Sequence, residues 1–299
     1  MAELDVRDSR FETLVSRDAE LRVVHSEMGF TEGPVWVPEY PGEAGFLLWS
    51  DIPASRLLRW SHDSGVNVFR ENTNNTNGNT LDREGRLISC EHSGRRVSRT
   101  ESWGDIVPLV ERYQGRRLNS PNDVAVKSDG TIWFTDPTYG LPRDDNGNRV
   151  GKELDANYVF RFDPRSGDLT PVVDDFEMPN GIAFSPDEGT LYVSDTGEPS
   201  HIRAFSVSAD GTLSNGRVLT VVDPRGPDGF RVDTEGNIWT TAGDGIHVYD
   251  RDGTLLGKIL CPEQPANCVF GGNDRKTLFI TARTSLYAIT TDATGAQKP

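Results

Sequence analysis

Short runs of apolar residues alternate with turn sequences along nearly the whole chain, and no segment has the longer period of an amphipathic helix. One strand-like run recurs six times, 40 to 59 residues apart, at 46–51, 86–91, 131–136, 190–195, 237–242 and 277–282. This spacing is typical of a propeller blade of four strands with its loops. The pattern therefore predicts an all-β protein, a six-bladed β-propeller with four-stranded blades.

The order of strands within a blade can be followed from residue 123 onward. Residues 123–126 have the pattern of a first strand, 128–130 of a hairpin turn, 131–135 of a second strand, and 158–162 and 170–173 of a third and a fourth. The last repeat ends after its third strand, at 285–289. We expect residues 21–25 to supply the missing outer strand and so to close the ring. Residues 1–299 then form a single propeller domain, with 1–20 as an N-terminal extension.

A polar residue with a side-chain oxygen precedes the first strand of five repeats, each time four places ahead of a large apolar residue. These five ring positions, which together form the polar ring, are Glu32, Asn77, Asn122, Asn180 and Asp228. First strands line the channel of a propeller, so these side chains should meet at one of its mouths. An Asn or Asp before Gly is more often a turn residue than a ligand. The repeated register, and the presence of a glutamate, favour a cation site instead.

Two carboxylates and three amides suit a hard divalent cation, and the lack of His or Cys at these positions disfavours structural zinc. The segments that follow each second strand return to the same mouth. They bring Asp51, His92, Asp136, Tyr139 and Asp195 to its border. Function is therefore expected at this face, with the loop at 142–152 controlling entry.

Composition narrows the classes of partner. The chain has 31 basic and 46 acidic residues, a net charge of -15, which argues against nucleic acid or an anionic membrane as a partner. It has no apolar run of membrane-spanning length, and its first 20 residues lack a hydrophobic signal core, so we expect a cytoplasmic protein. Three cysteines without CxxC spacing are expected to be reduced thiols. The chain lacks the GxSxG, HExxH and P-loop motifs.

Five motifs in order carry a family resemblance: TEGPVW at 31–36, SPND at 120–123, MPNG at 178–181, PDG at 227–229 and NCVFGG at 267–272. From about residue 32 to 288 the chain resembles the regucalcin and gluconolactonase family, which includes senescence marker protein and the squid-type phosphofluoridate hydrolase. GNTLD at 78–82, CEH at 90–92 and TDPTYG at 135–140 are most similar to bacterial sugar-lactone hydrolases. Ser120 stands where some animal members have an arginine, so their substrate contacts cannot be transferred.

The resemblance implies a six-bladed propeller that binds one divalent metal ion. The residues matching its ligands are Glu32, Asn122, Asn180 and Asp228. Calcium is the first expectation, with manganese, magnesium or zinc as alternatives. Asn77, the fifth ring position, would then be a pocket residue.

The resulting hypothesis is metal-dependent hydrolysis of a sugar lactone, a small-molecule substrate. The ion would act as a Lewis acid and Asp228 as general base, with direct nucleophilic attack by Asp228 as an alternative. Residues expected to hydrogen-bond sugar hydroxyls are Asn77, Asn79, His92, Asp136 and Tyr139. Two other functions stay open: phosphotriester or aryl-ester hydrolysis at the same metal, and a non-enzymatic propeller in which the ion stabilises a binding surface. The identity of the lactone and the oligomeric state are left open.

Overall fold

The computed structural model describes residues 1–39, 45–224 and 226–297. Its strands form six antiparallel sheets of at least four strands each, arranged as blades around one channel. Within the described residues the one helix is a 3-10 turn at Ser9–Thr13. The predicted six-bladed β-propeller is confirmed.

Apart from the two N-terminal strands, which lie at the outer edges of blades 5 and 6, the first strand of each blade along the chain lies innermost and the following strands pair outward in sequence order. Blade 1 contains Thr31–Val37, Phe46–Asp51, Arg56–Ser61 and Gly65–Glu71. Blade 2 contains Thr76–Leu81, Leu87–Glu91, Arg96–Thr100 and Ile106–Val110. Blade 3 contains Val124–Val126, Ile132–Asp136, Tyr158–Asp163 and Asp168–Val173. A short hairpin of Arg112–Tyr113 and Arg116–Arg117 links blades 2 and 3.

The remaining blades follow the same order. Blade 4 contains Pro179–Phe184, Thr190–Asp195, His201–Val207 and Leu213–Val221. Blade 5 contains Phe230–Val232, Ile238–Thr241, Gly245–Tyr249 and Leu255–Leu260. Blade 6 contains Pro265–Gly271, Thr277–Ala282 and Ser285–Thr290.

The N-terminal segment completes the sheets of the last two blades. Arg22–His25 pairs with Ser285–Thr290 as the fourth strand of blade 6, with Val23 opposite Tyr287. The expected closure of the ring is therefore confirmed. In addition, Glu3–Val6 pairs with Leu255–Leu260 as a fifth strand of blade 5, which the repeat pattern did not predict.

The hydrophobic core is divided into six clusters, each filling the boundary between two neighbouring blades. Three tryptophans in second strands, Trp49, Trp133 and Trp239, are completely buried in these clusters. Phe11 of the 3-10 turn is equally buried and joins the cluster between blades 5 and 6. A Cβ on Gly257 would come within 2.5 Å of the Phe11 ring, so this glycine leaves room for the aromatic side chain.

All three cysteines, Cys90, Cys261 and Cys268, are free, which confirms the expectation of reduced thiols. Among the described residues, no helix combines the length and apolarity that crossing a membrane would need.

Candidate metal centre

Backbone hydrogen bonds between blades join neighbouring polar positions around the channel at two places. The N–H of Gly78 donates to the carbonyl of Asn122 at 2.8 Å, and that of Gly181 to the carbonyl of Asp228 at 3.2 Å. Each bond joins the residue after one ring position to the ring position of the next blade. The inner strands are therefore fixed at their ends, close to the channel axis.

Two glycines show how closely neighbouring ring residues approach. A Cβ on Gly33, whose φ is +54°, would lie 1.9 Å from the carbonyl oxygen of Asn77. A Cβ on Gly229 would lie 2.0 Å from the side-chain carbon of Asn267. Only glycine fits at such contacts, so the glycine after the ring residue is a packing requirement here and not just turn chemistry.

Hydroxyl groups on second strands fix the ring residues of the following blade. Ser50, Thr135 and Ser194 donate to the backbone carbonyls of Asn77, Asn180 and Asp228 at 2.7, 2.7 and 2.8 Å. These hydroxyls come from the recurring strand motif itself. The repeat that defines the blades therefore also orients the polar positions.

A carboxylate at the end of the second strand caps the segment that leads to the ring residue. Asp51, Asp136 and Asp195 accept backbone N–H groups of Gly29, Asn119 and Glu177 at 3.0, 2.8 and 2.9 Å. In each case the donor lies three places before the ring position. Asp136 is fully buried, and burial raises the pKa of its carboxyl to about 7. Its geometry supports a positioning role for the loop that carries Asn122.

Three of the ring residues each have a side-chain oxygen that is buried without a hydrogen-bond partner among the described residues: Glu32 Oε1, Asn77 Oδ1 and Asn180 Oδ1. Their neighbouring atoms are well bonded. Asn267 Nδ2 donates to Glu32 Oε2, and Asn180 Nδ2 donates to Thr196 Oγ1, both at 2.9 Å. A buried oxygen without a partner costs free energy. The arrangement therefore fits a group that brings positive charge or donors to these oxygens.

The electrostatics of the site favour the same kind of group. Burial raises the pKa of Glu32 well above its ordinary value, and the nearby Asp228 and Asp123 carboxylates raise it further. Burial followed by the Asp123 charge raises the pKa of Asp228 to about 7, although the residue as a whole is partly exposed at the mouth. A bound cation would relieve this mutual repulsion.

His, Cys, Asp and Glu alone do not complete such a site. In the part of the chain that the structure describes, no three of these residues cluster closely enough to hold a metal ion. A cation here would need the amide oxygens as well. That combination is a hard, oxygen-only ligand set.

Comparison with known proteins decides the family. The model of the SMP-30/Gluconolactonase/LRE-like region matches residues 30–284. The chain belongs to this family. The resemblance inferred from the five motifs is thereby confirmed, and the family region contains every ring position from Glu32 to Asp228.

Relatives within the family align with most of the chain. Gluconolactonase from Zymomonas mobilis is 31% identical, covering 96% of this chain and 85% of its own length. Pentonolactonase XacC from Haloferax volcanii is 30% identical, covering 87% and 84%. A solved gluconolactonase from Xanthomonas campestris is 38% identical, with a TM-score of 0.89 over 97% of this chain and 95% of that one. The calcium-binding protein regucalcin from Agrobacterium tumefaciens, 21% identical over 94% of this chain and 97% of that one, shares the fold with a TM-score of 0.77.

The residues expected to contact substrate fall into two groups in this family member. Asn79 is fully buried and has partners for its whole side chain, since its Nδ2 donates to Gly33 O, Ser50 Oγ and Asn77 O and its Oδ1 accepts from Ser89. Like Asp136, it is placed to support the ring. Asn77, by contrast, has a buried Oδ1 to which no described residue donates a hydrogen bond.

His92 and Tyr139 lie together beside the ring. His92 Nε2 is 3.2 Å from Asn77 Nδ2. Burial lowers the pKa of the His92 imidazole to about 4, so this side chain is neutral at pH 7. A neutral Nε2 without its proton can accept from that amide. Burial, followed by the Asp228 charge, raises the pKa of Tyr139 to about 12, so the phenol keeps its proton.

Two residues near the mouth were missed in the sequence. Asn267 is the ring position of blade 6, and its Nδ2 donates a hydrogen bond to Glu32. It lies in the same register as the other five, but it was not recognised because Gly271 stands where the other repeats have a large apolar residue. Arg149 lies in the 142–152 loop, where its Nη1 donates to Leu141 O at 2.6 Å. Its positive charge acts to lower the pKa of both His92 and Tyr139. No repeat marks this arginine, so the sequence held no signal for it.

Proposed function

We propose that this protein hydrolyses a sugar lactone at the mouth of the propeller channel. The observation that carries the proposal is a set of side-chain oxygens on Glu32, Asn77 and Asn180 that are buried without a partner in the described part of the chain, with the Asp228 carboxylate close to Glu32 and Asn180. Family relatives that act as gluconolactonase and pentonolactonase support the substrate class. Both relatives align with more than four fifths of this chain, so the likeness extends over the whole propeller.

The residues that would hold a divalent cation are Glu32, Asn122, Asn180 and Asp228. Calcium is proposed first, because the set is made of oxygens only and because regucalcin, with the same fold, is a calcium-binding protein. Manganese, magnesium and zinc are the alternatives to be tested. The ion, when bound, would supply Lewis acidity toward the carbonyl oxygen of the lactone.

The chain's own residues would bind the sugar and move the proton. Asp228 is the proposed general base, since its carboxylate lies at the mouth and can accept a proton from an attacking water. Asn77 Oδ1, which has no hydrogen-bond partner among the residues that the structure describes, can accept a hydrogen bond from a sugar hydroxyl, and the protonated Tyr139 can donate one. Asp136 and Asn79 hold the backbone and side chains around these groups.

The direct test is an activity matrix on protein stripped of bound cation. Aldonolactones of five- and six-membered rings, an organophosphate triester and an aryl ester are each assayed with calcium, manganese, magnesium and zinc. We expect lactone hydrolysis that depends on added cation and exceeds the other two activities. Hydrolysis of the phosphotriester or the aryl ester in preference to every lactone would replace the proposed substrate. A chelation-dependent fall in thermal stability with no hydrolysis of any substrate would favour a binding propeller.

Asp228→Asn separates chemistry from folding. The amide keeps an oxygen toward the cation but cannot accept the proton, so turnover should fall by about two to three orders of magnitude. Circular dichroism and calcium titration should show an intact fold and most of the cation affinity. Lactone turnover close to that of the wild-type protein would remove Asp228 from the catalytic step.

A further inference from the structure

A buried ion pair lies in the channel directly beside the ring. Asp123 follows the ring residue Asn122, at a position where four other blades have glycine. Its Oδ2 is 3.5 Å from Nη1 of Arg231, an inner-strand residue of blade 5. Only 1% of the Asp123 side chain and 5% of the Arg231 side chain are exposed. The Asp123 charge is thus placed where four other blades carry no side chain at all, and Arg231 brings an opposite charge close to it.

The hydrogen bonds of this pair do not explain its presence. Arg231 Nη1 donates to the backbone carbonyl of Phe230 at 2.7 Å, while Nε has no partner within the described ranges. Asp123 Oδ1 accepts the N–H of Val124 at 2.9 Å, and Oδ2 accepts no hydrogen bond there. A buried ion pair with such incomplete bonding is often no more stable than an apolar pair. Its charges must therefore matter for something other than packing.

The neighbouring charges suggest what that is. Asp123 is close enough to the ring to act electrostatically on both Glu32 and Asp228. When a cation is present and all three carboxylates are ionised, they carry three negative charges, and Arg231 contributes one positive charge. The remaining charge of two negatives matches one divalent cation.

We infer that Arg231 is the fixed counter-charge to Asp123 that adjusts the channel to a single divalent cation and disfavours a trivalent or a second cation. The inference rests on the cation site of the proposed function. Arg231 acts through Asp123 and does not touch the proposed ligands, so it is a positioning residue. It also lines a cavity of about 370 Å³ with Val126, Phe184 and Val232 at their strand ends.

Four variants of the full chain vary the charge in steps. Arg231→Met leaves three negative charges, Asp123→Asn leaves one, and the double variant returns to two. Arg231→Lys, the matched control, keeps two. Each protein is stripped of cation, checked by circular dichroism and titrated with Ca²⁺ and Tb³⁺, using calorimetry for affinity and stoichiometry and luminescence for Tb³⁺.

The two single variants should move cation binding in opposite directions. Asp123→Asn should weaken Ca²⁺ binding about tenfold or more, because one attractive charge a few ångströms away is lost. Arg231→Met should raise the affinity ratio of Tb³⁺ to Ca²⁺ about tenfold, or bind a second Ca²⁺. The double variant and Arg231→Lys should return the ratio close to that of the wild-type protein.

A purely structural pair gives a different result. If Arg231→Met and Asp123→Asn weaken Ca²⁺ in parallel and leave the Tb³⁺ to Ca²⁺ ratio unchanged, the inference is overturned while the cation site stands. If the wild-type protein binds no cation, the site of the proposed function fails and the inference with it. Should Arg231→Met not fold, Arg231→Gln makes the same charge change with a polar side chain, and the same change in ratio is required of it.

Discussion

Polar side chains around the channel differ in whether other protein groups provide all of their hydrogen-bond partners. Asn79 and Asn77 are two residues apart on one strand and both are buried, yet Asn79 has four hydrogen bonds to protein groups while Asn77 Oδ1 has none in the described structure. A satisfied amide stabilises the fold. An unsatisfied one is a cost that binding can recover.

This difference predicts that replacement by alanine mainly lowers stability at Asn79 and mainly weakens substrate binding at Asn77. Asn79→Ala should lower the free energy of unfolding by about 2 kcal/mol or more, because it leaves several buried groups without partners. Asn77→Ala should change stability by less than half as much but raise the KM for the lactone. Denaturant unfolding and steady-state kinetics on the two variants provide the comparison. Equal losses of stability would show that the two asparagines play the same structural role.

Asp136 predicts a pH dependence of stability. Burial raises its pKa to about 7 in the folded state, far above the value of about 4 in an unfolded chain. The folded protein therefore holds a proton that the unfolded chain releases. Its contribution is fully present below pH 4 and is lost as the pH rises through 7, by up to about 1.4 kcal/mol per unit.

Asp136→Asn, which mimics the protonated carboxyl, should remove this slope. Unfolding free energies of both proteins are measured in urea from pH 4 to 8 at a fixed cation concentration. The difference between them should grow with pH in favour of the variant. Parallel curves would mean that Asp136 is ionised in the folded protein.

The residues recoverable from the sequence were those that share the register of the repeat. Glu32, Asn77, Asn122, Asn180 and Asp228 repeat four places before an apolar residue. Backbone hydrogen bonds join the segment of Asn77 to that of Asn122, and the segment of Asn180 to that of Asp228. Arg149 and the contact of Asp123 with Arg231 occur once each. Their meeting depends on loop conformation and on the angle between blades, which no single-sequence pattern records.

At the scale of elements, strands were predicted well because their alternation reflects two differently packed faces. Phe46–Asp51, Thr190–Asp195 and Thr277–Ala282 have the predicted bounds. Leu87–Glu91 and Ile132–Asp136 begin one residue later than predicted, and Ile238–Thr241 is one residue shorter at each end. The sequence pattern did not predict the secondary structure of the segment before residue 20. It contains one strand of four residues and one 3-10 turn of five, both too short for periodicity to be visible.

Phe11 makes that short segment important for stability. The side chain is fully buried between blades 5 and 6 and sits over Gly257. Phe11→Ala should therefore lower the unfolding free energy by about 3 kcal/mol or more, through lost burial and the cavity that remains. Phe69→Ala is the control, since Phe69 is 41% exposed. Chemical denaturation measures both, and a loss no larger for Phe11→Ala than for Phe69→Ala would contradict the packing role.

At the scale of the whole molecule, the six blades pack against one another in a closed ring. Six hydrophobic clusters join each blade to the next, and the last cluster joins blade 6 back to blade 1. The proposed ligands come from blades 1, 3, 4 and 5, so the cation would link blades that are not all neighbours. Closing the ring is then a condition for assembling the site.

Two truncations test this dependence. Removal of residues 1–20 keeps the closing strand Arg22–His25, whereas removal of residues 1–26 takes it away and exposes the edge of Ser285–Thr290. Both truncations remove Phe11 and open the edge of Leu255–Leu260, so the comparison between them isolates the closing strand. The shorter truncation should gain thermal stability from added calcium, because a ligand that binds only the folded state stabilises it. The longer one should associate more strongly than the shorter one, through the additional open edge, and gain little from calcium, because blade 6 no longer holds Asn267 against Glu32. Light scattering after size exclusion and thermal melts with and without calcium report both effects. If the two truncations match in association and in calcium response, the N-terminal strand does not close a ring on which cation binding depends.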